Sequence, residues 1–263
     1  GAYSIGLKIG RRSADLLLMD FVGNIHKQLH ETYAYPSPSG ILEFVEAGVK
    51  VLAGELKPGE LERVAGLGIA APFELWNWAD EAGASQAETD AWRGFDLQRE
   101  VAKLVAFPVF MENDATSACG AELVFGLGSQ YPDFLYFFVG SFIGGGVVIN
   151  SSLFKGRTGT AGALGSIPIP DGHGGSQQLI EAASVHVLER KLTKAGIDPR
   201  PLWYSADDWV DFGEPLAEWI ESTAEALAYA IVSSAAVIDF GAAIIDGGFP
   251  TWVRKRIVQA TRN

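Results

Sequence analysis

Apolar and polar positions alternate along the opening of the chain. Residues 3–9, "YSIGLKI", and 14–21, "ADLLLMDF", read as β-strands separated by the turn "GRRS". After "VGN" comes "IHKQLHETYAY", a third and more polar strand with Ile25, Lys27, Leu29, Glu31 and Tyr33 at every second position. Two hairpins in a row predict a meander. The spacing then changes, and Ile41, Leu42, Val45, Val49 and Leu52 recur at the three- and four-residue steps of a helix over 39–54. "RVAGLGIAAP" (63–72) reads as a buried strand ending at Pro72. The stretch 73–95 is aromatic and irregular, with Trp76, Trp78 and Trp92. A helix over about 96–104 and the strand "FPVFME" lead into "MENDATSACGAE", where an Ala-rich helix starts.

A second series follows. "DFLYFFVGS" and "IGGGVVINSSLF" are apolar strands joined by a small turn, and "KGRTGTAGALGS" is a Gly-rich loop. Residues 176–195 and 214–237 read as helices, the latter with Leu216, Ile220, Leu227 and Ile231 on one stripe. "AAIIDGGFP" is a strand running into a Gly-Gly turn, and 250–262 starts as a basic helix. The halves share a loose order of strand hairpin, helix and strand, without a residue-level repeat.

Composition narrows the function. The 263 residues suffice for one large domain or two ordinary ones, and 48% hydrophobic with 20% charged residues is ordinary for a globular protein. No apolar run approaches the ~20 residues of a membrane span. A formal charge of −12 would repel nucleic acid phosphates, so this chain is a poor DNA binder by itself. The single Cys119 excludes an internal disulfide, suits a reducing cytoplasm, and removes any zinc site built on several thiolates. The chain opens "GAYSIGL", without Met, basic n-region or secretory h-region, and is expected to be a piece of something longer.

The order and spacing of "GLKIG…LLLMDFVGNI", "LGIAAP", "PVFMENDATSACGAE", "FLYFFVGSFIGGGVVINSSLFKGRTGTAGALGS" and "VIDFGAAIIDGGF" resemble the ROK family of bacterial sugar kinases and sugar-responsive repressors. The resemblance covers nearly the whole chain. It implies an α/β, two-lobe actin-like ATPase (ribonuclease H-like) fold, with lobes expected at 1–115 and 116–263. The stretch beyond "DGGF" looks shortened against the family.

Against the kinases, three nucleotide elements are altered together. The family's first phosphate loop resembles G-x-D-x-G-G-T-K, whose acid helps hold magnesium. Here "GLKIGRRS" puts Lys8 at the acid, keeps Gly10, and has Arg11 and Arg12 in place of small residues. A lysine cannot ligate Mg²⁺, which takes oxygen donors. The arginines could meet an anion directly, but the reading taken is a solvated hairpin turn. The second loop, G-T-G-I-G-G-G in kinases, is "GSFIGGG", with Ser141, Phe142 and Gly144. Phe142 is expected to fill the space a phosphate needs, and the glycines could instead mark close packing. In the third region "DGGF" replaces G-G-G beside the base.

On the sugar side the resemblance implies contacts at Asn113, Asp114, Pro72, Phe73, Ser166 and Glu181. In the kinases the acid resembling Asp114 is general base on the attacking hydroxyl, and the neighbouring Asn also contacts the sugar. A carboxylate can accept that proton or only accept hydroxyl hydrogen bonds. Asn or Asp before "ATSACGAELVF" is equally a good helix cap, so one is expected to cap and the other to face a ligand. The family's G-x-x-G-E-I-G-H is "GTAGALGS", with Ala163 and Ser166 at the sugar Glu and the zinc His. His173 stands without thiolate partners, so no zinc is expected, and ATP with magnesium is not expected either. Glu181 lies near the second sugar Glu, although alignment slips by one to Ile180; it reaches the ligand or is an exposed helix charge.

The function implied is a sugar- or sugar-phosphate-sensing effector and dimerisation domain of a cytoplasmic transcriptional regulator. DNA would be reached only through a winged helix upstream of Gly1, and a homodimer or higher homo-oligomer is expected. Two alternatives stand: an ATP-dependent hexose or N-acetylhexosamine kinase using Asp114, and a dimerisation module without ligand.

Overall fold

A computed structural model describes residues 1–72, 85, 88, 90–204 and 209–263. The chain divides into two compact units, Gly1–Ser117 and Ala118–Asn263.

The first unit is built on a five-stranded sheet. The meander expected from alternation is present as β1 (Tyr3–Ile9), β2 (Ser13–Asp20) and β3 (Ile25–Thr32), all antiparallel. Helix α1 (Pro38–Gly54) starts where Ser37 accepts the Gly40 N–H and Pro38 presets the first turn. It feeds β4 (Val64–Ala71), which lies parallel to β1; α2 (Leu97–Ala102) then leads to β5 (Val109–Asn113), parallel to β4. The order β3-β2-β1-β4-β5 puts β1 at the centre.

Period-two patterning assigns the two faces. Ile5, Leu7, Ile9, Leu16, Leu18, Leu67 and Ile69 form a core with Ile41, Val45 and Leu52 of α1 and Val101 of α2. On the opposite face Gly6 of β1 is paired to Gly68 of β4 and Lys8 to Ala70. Trp92 belongs to the core, its indole N–H donating to Pro36 O at 2.8 Å. Trp76 and Trp78 lie outside the described residues.

Helix α3 (Asp114–Phe125) opens directly at the end of β5. In the second unit β6 (Phe134–Val139), β7 (Ile143–Ile149), β8 (Ser152–Leu153) and β11 (Ala242–Gly247) form a sheet ordered β11-β6-β7-β8, with β11 parallel to β6. The unbroken run "FLYFFV" has a physical reason, because both faces of β6 are covered. Leu135, Phe137 and Val139 pack with the helices, while Phe134 and Tyr136 pack with Cys119 of α3. Burial pushes the Cys119 thiol up to about 12, which leaves it an inert core side chain.

The single helix expected over 176–195 is three elements. Strand β10 (Ser176–Gln178) pairs with β9 (Pro168–Pro170), and helices α4 (Leu179–Ala183) and α5 (Val185–Lys194) are separated at Ser184. Ser184 is extended (φ −76°, ψ 150°) because its groups are engaged elsewhere: Oγ with Ile143 N–H and Ile180 O, and its carbonyl with Trp219 Nε1. Helix α6 (Pro201–Tyr204), the long α7 (Glu214–Ala235) and α8 (Thr251–Thr261) complete the unit. Among the described residues no helix is long and apolar enough to cross a membrane.

Candidate functional site

The carboxyl ends of β1, β4 and β5 bring most first-unit candidates to one edge of the sheet, where open α/β sheets bind ligands. Lys8 and Gly10 close β1, buried Pro72 follows β4, and Asn113 and Asp114 join β5 to α3. Phe73 lies outside the described residues. Register aligns His30, Asp15, Lys8, Ala70 and Glu112 in a single row across all five strands.

The competition between Asn113 and Asp114 has a clear outcome. Asn113 caps α3, its Oδ1 accepting the Ala115 and Thr116 N–H groups at 3.0 and 3.2 Å. Asp114 is half-buried, and one oxygen accepts the Ala115 N–H at 2.9 Å. Desolvation raises its carboxyl above the ordinary range; the Ala115 hydrogen bond and the charge of Lys8 offset this in part. A carboxylate has about four acceptor sites, and local backbone groups do not use them all. Lys8 is exposed, and among the described residues no acid forms an ion pair with it.

The solvated turn expected at 10–13 is corrected. Arg11 is only 6% exposed. Arg12 donates from Nη1 to Ala34 O at 3.0 Å and receives the Tyr33 N–H on its carbonyl at 3.0 Å. The Tyr33 hydroxyl sits 2.8 Å from Gly10 O and 2.7 Å from Ser13 O, and Gly10 N–H donates to Ser13 O at 2.8 Å. The turn is therefore stapled by the residues that follow β3. Burial raises the Tyr33 phenol, so it remains a neutral donor.

In the second unit the candidates have structural partners. The carbonyls of Gly140 and Ser141 accept the first two N–H groups of α5, from Val185 and His186, at 2.9 and 3.1 Å. Ile143 N–H is held by Ser184 Oγ at 3.0 Å. Phe142 is half-buried, its ring 5.7 Å from the His186 ring. Gly144 pairs with Phe138. A Cβ on Gly145 would strike Tyr136 O and the Leu164 side chain, and one on Gly165 would lie 2.5 Å from Ile143 O. Gly145, the middle of the triple glycine, thus sits in a packing seam.

Ser166 and Ala163 are exposed at a short 3-10 turn, and Ser166 N–H bonds Ala163 O at 3.1 Å. Glu181 is exposed and closes a capping box at the start of α4, accepting Gln178 N–H at 2.7 Å. His173 lies in an exposed loop organised by Asp171, whose Oδ1 accepts the N–H groups of His173 and Gly175. Among the described residues no group of three or more His, Cys, Asp or Glu could hold a metal ion. In "DGGF", Asp246 pairs with Arg254 at 2.7 Å, and Phe249 is buried against Trp209 and Trp219 at 6.2 Å from each.

Sequence reasoning missed Tyr33 and Ser184. Each carried a weak signal: a Tyr ending an amphipathic strand, and a lone Ser inside the apolar run "EAASVHVL".

A β-meander followed by a parallel βαβ series, with a second α/β unit after it, is the actin-like ATPase fold of the ROK sugar kinases. The chain belongs to the ROK family, whose profile matches residues 4–252. It is 25% identical over 167 residues to a xylose repressor of Bacillus subtilis, covering 64% of this chain and 42% of the repressor. It is 29% identical over 170 residues to a glucokinase of Streptomyces coelicolor, covering 64% of this chain and 51% of that enzyme. The chain thus spans about half the length of the curated relatives it matches. The crystal structure of a ROK hexokinase from Thermus thermophilus superposes with a TM-score of 0.70 at 22% identity, over 99% of this chain and 88% of that one.

Proposed function

We propose that this chain is the sugar- or sugar-phosphate-sensing effector and dimerisation domain of a ROK-type transcriptional regulator, acting in the cytoplasm without kinase activity. Lys8 carries the reading. A cation at the carboxyl end of the central strand, whose charge reaches Asp114, opposes a magnesium ion where a kinase needs one. Support comes from the second unit, where Ile143 N–H, a donor of the kind a phosphate oxygen needs, already bonds Ser184 Oγ. Asp114 then holds a sugar hydroxyl and does no chemistry. His173, alone and exposed, does not fit a zinc site, so no metal or nucleotide is assigned. DNA contact falls to a segment outside this chain.

One observation favours a kinase instead. Burial raises the carboxyl of Asp114 above its ordinary range, which makes it a stronger acceptor for a hydroxyl proton. A coupled ATPase assay over hexoses and N-acetylhexosamines separates the two. We expect no sugar-dependent ATP turnover; turnover abolished by Asp114→Asn would establish the kinase. Differential scanning fluorimetry with the same sugars, their 6-phosphates and Mg-ATP tests sensing directly. A sugar at 100 times its Kd should add about 2.7 kcal/mol of stability. A flat response with a stable dimer on sizing would leave a ligand-free dimerisation module.

A further inference from the structure

Lys8 is exposed on a strand whose neighbours Leu7 and Ile9 are buried, so its side chain belongs to the sheet face away from the core. The row on that face runs His30, Asp15, Lys8, Ala70, Glu112. Asp15 is engaged by His30 Nδ1 at 2.8 Å and Gln28 Nε2 at 3.0 Å. Lys8 makes no such bond to any described residue. On its other side lies only Ala70, and two residues back along β4 a Cβ added to Gly68 would meet nothing within 4 Å. Lys8 therefore has open space beside it and, among the described residues, no acid that answers its positive charge. Asp114, at the end of β5 on the same edge of the sheet, feels that charge without forming an ion pair with it.

We propose that Lys8 reads an anionic substituent, a phosphate or a carboxylate, on the sugar whose hydroxyl Asp114 accepts. The ammonium and the carboxylate are complementary to a molecule carrying one anion and one hydroxyl donor, and a neutral sugar would leave Lys8 unanswered. This inference rests on the sugar-sensing reading above and narrows it to charged sugars.

The test is isothermal titration of the purified chain with glucose, glucose 6-phosphate, N-acetylglucosamine, N-acetylglucosamine 6-phosphate and glucuronate. Within at least one family of sugars the charged member should bind more tightly. Whether phosphate or carboxylate wins tells which anion is read. Lys8→Gln should collapse the charged-to-neutral ratio about tenfold, as expected when a charge-assisted hydrogen bond is lost. Lys8→Arg should restore most of it, and raised salt should narrow it. Equal binding of charged and neutral sugars, or a ratio unmoved by Lys8→Gln, overturns this inference and leaves sensing intact. Failure of the whole panel to bind overturns both. Because Lys8 is exposed, unchanged circular dichroism of the variants shows that the ratio does not report unfolding.

Discussion

The two units treat their candidate site residues differently. At the edge of the first sheet, Asn113 caps the helix and so leaves the next side chain, Asp114, with accepting capacity, while Lys8 has no partner among the described residues. In the second unit, the groups that resemble nucleotide and sugar contacts are joined to their own fold. Ser141 O holds α5, Ile143 N–H holds Ser184, and Glu181 caps α4. An amide N–H already bonded, as at Ile143, must give up that bond to meet a ligand, at a cost of about 1 kcal/mol or more. The contrast teaches that acceptor capacity is left over where a neighbouring side chain does the capping, as Asn113 does beside Asp114.

Substitutions can break this contrast, beginning with the packing seam. Gly145→Ala forces a methyl into Tyr136 O and Leu164 at a buried position, so the chain should lose about 3 kcal/mol in urea unfolding. Ser184→Ala leaves Ile143 N–H without its acceptor in a fully buried place. We expect about 2 kcal/mol of destabilisation, with any sugar affinity retained. If sugar affinity fell with it, the second loop would be part of the binding site after all.

Asp114→Asn should weaken sugar binding about tenfold by isothermal titration, yet leave the melting temperature at neutral pH unchanged or raised. Burial lifts the folded-state carboxyl above its unfolded value of 3.8. The folded chain then holds more protons across that window, so stability falls as pH climbs through it. The Asn variant should lack this slope in melts collected from acid to neutral pH. Tyr33→Phe removes the hydroxyl that staples Gly10 and Ser13, with a loss of about 1 kcal/mol and no change in sugar preference. Glu181→Ala should cost least, about 0.5 kcal/mol from the capping box, and leave sugar binding untouched. A sugar-binding defect there would return Glu181 to the site.

Much of the fold was legible because its signals are local. Alternation over 3–33 and helical spacing over 39–54 depend on neighbours a few residues apart, and both elements fall where expected. The turn "GRRS" was misread because charge suggests solvent, while burial of Arg11 depends on the chain returning at Tyr33 and Ala34. The helix over 176–195 was misread for a related reason: what interrupts it at Ser184 is an amide 41 residues earlier. At the site, the pair Asn113 and Asp114 was visible in sequence, but which of them caps was not. That is decided by which side chain reaches the Thr116 amide one residue further on, and only Asn113 does.

By itself the sequence determined the meander, the first helix and the main strands of both units, the family, the acidic charge and a lysine at position 8. Those follow from residue identity and short-range periodicity. Tertiary structure alone decided that Lys8 shares a sheet row with Asp15 and Glu112, that Gly145 sits in a packing seam, and that Glu181 caps a helix. Each depends on partners brought close only when strands pair and loops close, because hydrogen bonds and packing act over a few ångströms in space and take no account of distance along the chain.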